Sequence, residues 1–482
     1  MPFAASDMAL IVPELFLTAA GLVLLIMATV VPRAQEKQIA LWSIASLVVT
    51  GVLLAIPASS GQAARSAFGG MFAADGFALF FKVLILAAVV VTILFSLRFV
   101  GESPYPSGEY YGLLLFATVG MMFMVSGTHL ISIYVALELM ALSQYVLAGY
   151  FKRETKSIEA AAKYFILGAF SSGILLYGLS LVYGATGSLF LAGVAKSITL
   201  GPKSPLLVLG IILVACGLFF KIASAPFHVW APDVYEGAPT PISAFFAVGP
   251  KLAAYAIFAR IFFSGFGPNS SDWTPIIAAS AALTMVVGNV GALMQQNVKR
   301  MLGYSSVGHA GYALLGLLAY GSKDFGLSSI LIYLTAYALM NLGAFGLVIL
   351  LETKGYAGES VDDFNGLARK NPLAAGVMVL FLLSLAGIPP TAGFVGKYLL
   401  FSAAMQAGWA WLSLLAVLMS AVSLFYYFRI VRAMYLVEGT GELRWKEEPA
   451  VAVAILVCAA GTLAVGVYPQ PLIALAKSCL LY

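Results

Sequence analysis

Apolar runs long enough to cross a bilayer follow one another along almost the whole of this chain, separated only by short loops. About 20 residues of helix span roughly 30 Å of hydrocarbon. Such runs fall near 9–31, 38–57, 77–99, 111–126, 128–151, 159–184, 204–230, 239–265, 273–293, 297–320, 326–352, 373–400, 408–437 and 449–469. We read them as fourteen helices, the fourth a short one. Hydrocarbon offers no water to the backbone, so each span must satisfy its own N–H and C=O groups. The expected fold is therefore an all-α polytopic membrane protein.

Composition excludes the alternatives. Of 482 residues, 61% are apolar and 10% charged, and the mean hydropathy is +0.98. A soluble domain carries about 25% charged residues. A soluble enzyme, a nucleic-acid binder and a disordered chain are excluded. The net charge of +5 lies in short loops and is no nucleic-acid footprint. Cys216, Cys458 and Cys479 form no CxxC pair, which argues against disulfide, cluster and zinc frameworks. The first run lacks a basic flank and a small-residue cleavage site, so it is expected to be retained as a helix.

Loop charges set the expected orientation. With the N-terminus outside, the cytoplasmic face collects sixteen Lys and Arg residues, among them Arg33, Lys299, Arg300, Lys354, Arg444 and Lys446. The outer face collects six: Arg65, Lys196, Lys203, Arg260, Lys323 and Lys477. The cytoplasmic loop Ala231–Ala238 carries only Asp233 and Glu236, so it is uninformative.

Lys82, Lys221, Lys251 and Lys397 remain inside apolar runs. A mid-membrane Lys costs at least about 2.5–3.5 kcal/mol and so marks a functional position. Lys82 is near a helix end, where its stem is expected to carry the ammonium to the interface. Glu138 lies about ten residues into its helix, in SIYVALELMALSQY. Lys221 (LFFKIASAPFHVW) and Lys251 (AFFAVGPKLAAYAIF) lack an opposite charge one turn away. One Glu facing several Lys leaves surplus charge that a helix clamp does not need, which favours a proton relay.

Prolines accompany these charges. Pro226 follows Lys221, and Pro389 and Pro390 precede Lys397. Proline frees a carbonyl one turn back, and broken helices at membrane depth mark ion pathways. His228 follows the first break, and His309 sits mid-helix in YSSVGHAGYALLG with Tyr304, Ser305, Ser306 and Tyr312 nearby. Histidine titrates near neutrality. His129 falls at a helix end and is read as interfacial. Lys163 sits four residues after Glu159, the spacing of a surface pair.

Gly396-Lys397 is not a phosphate loop, since Thr391 and Tyr398 occupy positions that need Gly and Ser or Thr. Gly439-Thr440-Gly441 lacks a third glycine, and HExxH is absent. No nucleotide, haem, flavin or cluster site is expected, so uphill ion movement would draw on a partner or another gradient.

The stretch HVWAPDVYEGAPTPISAFFAVGPKLAAYAIFAR, from His228 to Arg260, resembles the signature of the subunit N family of the proton-pumping NADH–quinone oxidoreductase, respiratory complex I. NVKRMLGYSSVGHAGY, FNGLARKNP and LAGIPPTAGFVGKY continue the likeness over essentially the whole chain. Lys397 stands where M-type siblings carry Glu, and there is no long L-type C-terminal extension.

The resemblance implies three N-terminal helices over 1–110 and two inverted five-helix repeats over 111–270 and 271–437. A loop and last helix would follow over 438–482. It implies a Glu138–Lys221 pair, transfer through Lys251, a central His309, exit through Lys397 and a part for Lys163. It places NADH, FMN, iron–sulfur clusters and quinone in partner subunits, with subunits M and K and lipids as neighbours. It also implies a bacterial inner membrane with both termini periplasmic. Rival readings are a multisubunit Na⁺/H⁺ antiporter, a structural spacer, and a related complex with another electron donor.

Overall fold

The computed structural model describes every residue except 1–4, 31–35, 60–64, 102–104, 106, 203, 352–358, 440–447 and 482. Of the residues used for orientation, Arg33, Lys203, Lys354, Arg444 and Lys446 lie outside the described residues. In chain order the helices are α1 (Ala5–Leu10), α2 (Val12–Val30), α3 (Glu36–Ser59), α4 (Gly76–Gly101), α5 (Ser107–Ser126), α6 (Leu130–Ala148) and α7 (Thr155–Thr186). There follow α8 (Leu191–Leu200), α9 (Pro205–Lys221), α10 (Trp230–Gly237), α11 (Thr240–Ala259), α12 (Ser270–Leu293), α13 (Val298–Leu318) and α14 (Lys323–Leu351). The last are α15 (Leu367–Lys370), α16 (Pro372–Ala386), α17 (Ala392–Gln406), α18 (Ala410–Leu436), α19 (Pro449–Val467) and α20 (Gln470–Ser478). Among the described residues a single antiparallel hairpin, β1 (Arg65–Ala67) and β2 (Phe72–Ala74), pairs Ser66 with Ala73.

Among the described residues, eleven helices are long and apolar enough to cross a membrane. The other three expected spans fall short of that measure for local reasons. The run 204–230 stops as a helix at Lys221, the run 373–400 stops at Ala386 and restarts at Ala392, and α13 is rich in Gly, Ser and charged residues.

The chain divides into two compact units. One comprises Met1–Ile222, Gly249–Ile276 and Ser478–Tyr482, the other Ala223–Val248 and Ile277–Lys477. In the first, α7 turns Phe165, Ile166, Phe170 and Tyr177 outward and buries Ser171 and Ser172. Lipid is as apolar as those side chains, so close packing rather than water exclusion holds the helices together. Small residues allow it: a Cβ on Gly178 of α7 would stand 2.8 Å from the Val214 nitrogen of α9.

Charged locks tie the first unit at one end. Arg260, in a π-helical turn after α11, grips Asp75 through two hydrogen bonds of 2.8 and 2.9 Å and donates from Nε to the Val125 carbonyl. Lys82 does not carry its ammonium out to solvent: the ammonium lies 2.6 Å from Glu14, and both side chains are buried. Its ammonium also stands 4.6 Å from the centre of the Phe72 ring. The hairpin is laced to the next loop by Thr128, which donates its amide to the Met71 carbonyl and its hydroxyl to the Gly70 carbonyl.

The second unit has its own lock. Lys299, placed at a membrane face by the loop count, is fully buried on Glu359 at 2.8 Å and donates also to the Ala238 carbonyl. Arg300 binds Asp233 at 2.5 Å and Glu236 at 3.1 Å. The two acids of the uninformative loop therefore fasten α10 to the start of α13. Arg260 and Lys299 are buried on carboxylates far away in sequence, which local charge patterning does not reveal.

Burial by itself raises the Asp75 carboxyl, but Arg260, the Ala78 amide and Lys82 together hold it below its ordinary 3.8. A carboxyl depressed on folding contributes fully above its unfolded value, and the contribution is lost as pH falls through the folded one. Asp75→Asn should cost about 3 kcal/mol at neutral pH by leaving Arg260 unpaired. Thermal melting in detergent across pH 2–7 should show the variant below wild type at neutrality and level with it in acid. A constant gap across that range would sink this account.

Candidate functional site

Each unit holds one cluster of buried titratable groups. In the first, Glu138 projects from α6 and Lys221 ends α9. A lysine in the last turn of a helix faces the negative end of its dipole. The Lys221 ammonium is buried and makes no hydrogen bond to the described residues, and the same holds for Oε1 of Glu138. The ammonium stands 5.8 Å from the centre of the Phe220 ring and 6.0 Å from that of Tyr145. Glu138 is the carboxylate whose charge Lys221 feels, yet the two are not in contact. Tyr145, two turns beyond Glu138 on α6, leaves its buried hydroxyl without a hydrogen bond to the described residues. Gln144 accepts one from Tyr164 at 2.8 Å.

Such an arrangement is poised rather than locked. A contact pair at ~4 Å with an effective dielectric of ~20 is worth roughly 4 kcal/mol, and a group bound that tightly resists a change of protonation. Lys221 is held by aromatic faces, worth ~0.5–2 kcal/mol each, and by a carboxylate at a distance.

Lys251 is buried in α11 directly after Pro250. Pro250 cannot donate to the Phe246 carbonyl one turn back, and the Tyr235 hydroxyl fills that acceptor at 3.1 Å. Lys163 pairs with Glu159 at 2.7 Å on an open surface, as its spacing suggested.

The second unit carries His228, His309 and Lys397. His228 lies half-buried in the connection from α9 to α10, and its Nδ1 makes no hydrogen bond to the described residues. The freed backbone of that connection is satisfied by α12. Ser280 donates to the Ala225 carbonyl, Thr284 accepts from the Ala225 amide, and both meet Ser224, at 2.8 and 2.6 Å.

His309 is buried among tyrosines. Its Nδ1 is 2.6 Å from the Tyr333 hydroxyl and its Nε2 is 3.4 Å from that of Tyr427. Ser305 bonds Tyr427, and Ser306 bonds Tyr337 at 2.7 Å. A tyrosine hydroxyl both donates and accepts, so an imidazole between two of them can take a proton on one nitrogen and release it from the other.

At the second break the prolines act as their chemistry demands. Pro389 and Pro390 offer no N–H to the carbonyls of Leu385 and Ala386 one turn back. Lys397 fills both, at 2.8 and 3.0 Å, and donates its third proton to Ser420 at 2.7 Å. Gly387 caps α16 in the left-handed region at φ 88°, and a Cβ there would stand 2.8 Å from Cδ of Lys397. The C-terminal end of α16 is thus a built receptor for an ammonium.

Sequence reasoning singled out the ionisable residues of both clusters. It passed over Tyr145, Tyr333, Tyr337, Tyr427 and Ser420, because hydroxyls scattered in apolar runs give no distinctive local signal.

A family profile described as "NADH:quinone oxidoreductase/Mrp antiporter, TM" matches residues 127–423. A protein of Trichlorobacter lovleyi called NADH-quinone oxidoreductase subunit N is 43% identical over 479 residues, covering 98% of this chain and 97% of the relative. NADH-quinone oxidoreductase subunit N 2 of Rhizobium meliloti is 42% identical over 466 residues, covering 97% and 96%. A chain in the structure of respiratory complex I from Thermus thermophilus with bound Aureothin has a TM-score of 0.82 and 34% identity, over 96% of this chain and 99% of that one. A chain of the Mrp complex from Dietzia has a TM-score of 0.85 over 99% and 97%, but at 23% identity the likeness concerns the fold alone.

Placing a side chain at Gly387 forces left-handed backbone that costs about 1–2 kcal/mol, besides crowding Lys397. Gly387→Ala should therefore lower the thermal midpoint in detergent. Gly376→Ala, where a Cβ meets nothing within 4 Å, should leave it level or slightly raised. Equal midpoints for the two variants would show that the Gly387 cap is dispensable.

Proposed function

This chain belongs to the subunit N family of NADH–quinone oxidoreductases, and on that premise we propose the path its protons take and the setting in which it works. It is a membrane-arm subunit that translocates protons, with the redox chemistry carried by partner subunits. The path begins with uptake from the cytoplasm and separation of charge between Glu138 and Lys221. It continues through Lys251 and His309 to Lys397, which releases protons toward the outer face. His228 and Lys163 serve the cytoplasmic approach.

The observation that carries this reading is the buried Lys221 ammonium, unbonded and within the field of Glu138. Unpaired charge at membrane depth is expensive, and it is retained where its protonation is the purpose. A charge change in a neighbouring subunit would shift the balance between Glu138 and Lys221, and a few kcal/mol corresponds to whole units of proton affinity.

The setting follows from the family. The chain crosses a bacterial inner membrane fourteen times, with the interrupted segments 204–230 and 373–400 and helix α13 completing the set. Its two repeats span 111–270 and 271–437 in inverted order, and both termini face the periplasm. NADH, FMN, iron–sulfur clusters and quinone reside in other subunits, and subunits M and K and lipids flank this one.

Lys221→Ala in the native host tests the path. In inverted vesicles, NADH oxidation and proton uptake should both fall several-fold while a native gel shows the complex intact. Normal rates in an intact complex would remove Lys221 from the path. Proton exchange driven by Na⁺ without NADH would instead favour an antiporter.

A further inference from the structure

The Lys397 receptor has one wall that is neither carbonyl nor hydroxyl. The ammonium stands 4.8 Å from the centre of the Tyr312 ring. The His309 ring approaches the same residue nearly perpendicular, at 5.6 Å between ring centres. Tyr312 is 1% exposed and held fast. Asn289 donates from Nδ2 to its hydroxyl at 3.1 Å, while Oδ1 of Asn289 accepts from Tyr426 at 3.0 Å. Phe401 packs on the ring at 5.8 Å.

We propose that Tyr312 is a positioning residue for proton transfer through Lys397: its ring face, braced by Asn289, keeps the ammonium charged and seated on the carbonyl end of α16. The proposal rests on the proton path given above. The ammonium's three protons already have three oxygen acceptors, so the ring adds no hydrogen bond. It adds a negative π face where the site would otherwise be apolar, and such a face favours the charged over the neutral amine. His309 of α13 also packs on Tyr312, so both proton carriers touch one tyrosine. For a proton to pass, an imidazolium at His309 would return to neutral imidazole as a neutral amine at Lys397 becomes an ammonium. Tyr312 takes no part in bond making and sets how readily Lys397 holds what it receives.

Other titratable groups lie on the elements packed against α17. The buried ones in the middle of those helices are His309 on α13, Tyr333 and Tyr337 on α14, Tyr426 and Tyr427 on α18, and Cys458 on α19, while Lys299, Arg300, Tyr304, Lys323, Asp324, Arg429, Arg432 and Tyr435 lie toward the helix ends. The packed face of α16 brings none. The nearest aromatic face on the ammonium is that of Tyr312, so a change there is separable from changes at the others.

The test uses the assembled complex in native membranes, with NADH oxidation and proton uptake measured from pH 6 to 10. Tyr312→Leu removes the face. The alkaline limb of proton uptake should move to lower pH by up to about one unit. Tyr312→Phe keeps the face and should restore the limb to within a few tenths of a unit. A limb that stays in place in Tyr312→Leu, or moves equally in Tyr312→Phe, overturns the proposal. Should Tyr312→Leu fail to assemble, phenylalanines bearing one to three ring fluorines at position 312 keep the shape and weaken the face in steps. The displacement should then grow with fluorine number, and its independence of fluorine number overturns the proposal. Lys397→Met in the same experiment separates the two failures. If it leaves uptake intact, the proton path itself is wrong. If it abolishes uptake while the Tyr312 series does nothing, only the role of Tyr312 is lost.

Discussion

A helix interrupted inside hydrocarbon must find partners for its freed backbone within the protein, because no water is at hand to take them. Both interruptions in this chain are built around that requirement. At the first, Ser280 and Thr284 of α12 satisfy the carbonyl and amide of Ala225. At the second, the carbonyls of Leu385 and Ala386 are taken by Lys397 and Ser420. The difference is consequential. Hydroxyls repair the first break with neutral groups, whereas the second is repaired by a group that can carry a proton. The structural need for a donor is met there by the same amine that the proposed proton path uses.

The buried charges fall into two kinds. Arg260 on Asp75, Lys299 on Glu359 and Lys82 on Glu14 are contact pairs at 2.6–2.8 Å. Each is neutral as a pair, and removing one partner strands the other at a cost of several kcal/mol. Such pairs lock a fold. Glu138 and Lys221 are close enough to interact and too far apart to bond. Locking and poising use the same residue types, and distance alone separates them.

How much of this was legible beforehand varies with how costly each residue is out of place. Glu138, Lys221, Lys251 and Lys397 stood out because a charge in an apolar run is expensive. Pro389 and Pro390 foretold free carbonyls one turn back, and Leu385 and Ala386 are those carbonyls. Lys82 was misjudged, since a lysine near a helix end is ordinarily carried to the interface, and its partner Glu14 lies 68 residues earlier in the chain. The partners of Lys299 and Arg260 were hidden for the same reason, as their carboxylates are separated from them by 60 and 185 residues.

The sequence by itself determined that the chain lives in a membrane as helices, where those helices break and which residues are too costly to be incidental. Those conclusions depend on transfer energies and backbone chemistry, which are properties of single residues and of neighbours in the chain. The tertiary structure alone decided which charge meets which. It closed Lys82, Arg260 and Lys299 into locks and left Lys221 unbonded. It also gathered Tyr333, Tyr337 and Tyr427 around His309. Electrostatic and hydrogen-bond energies depend on ångström-scale separations, and only the packing of distant segments sets those.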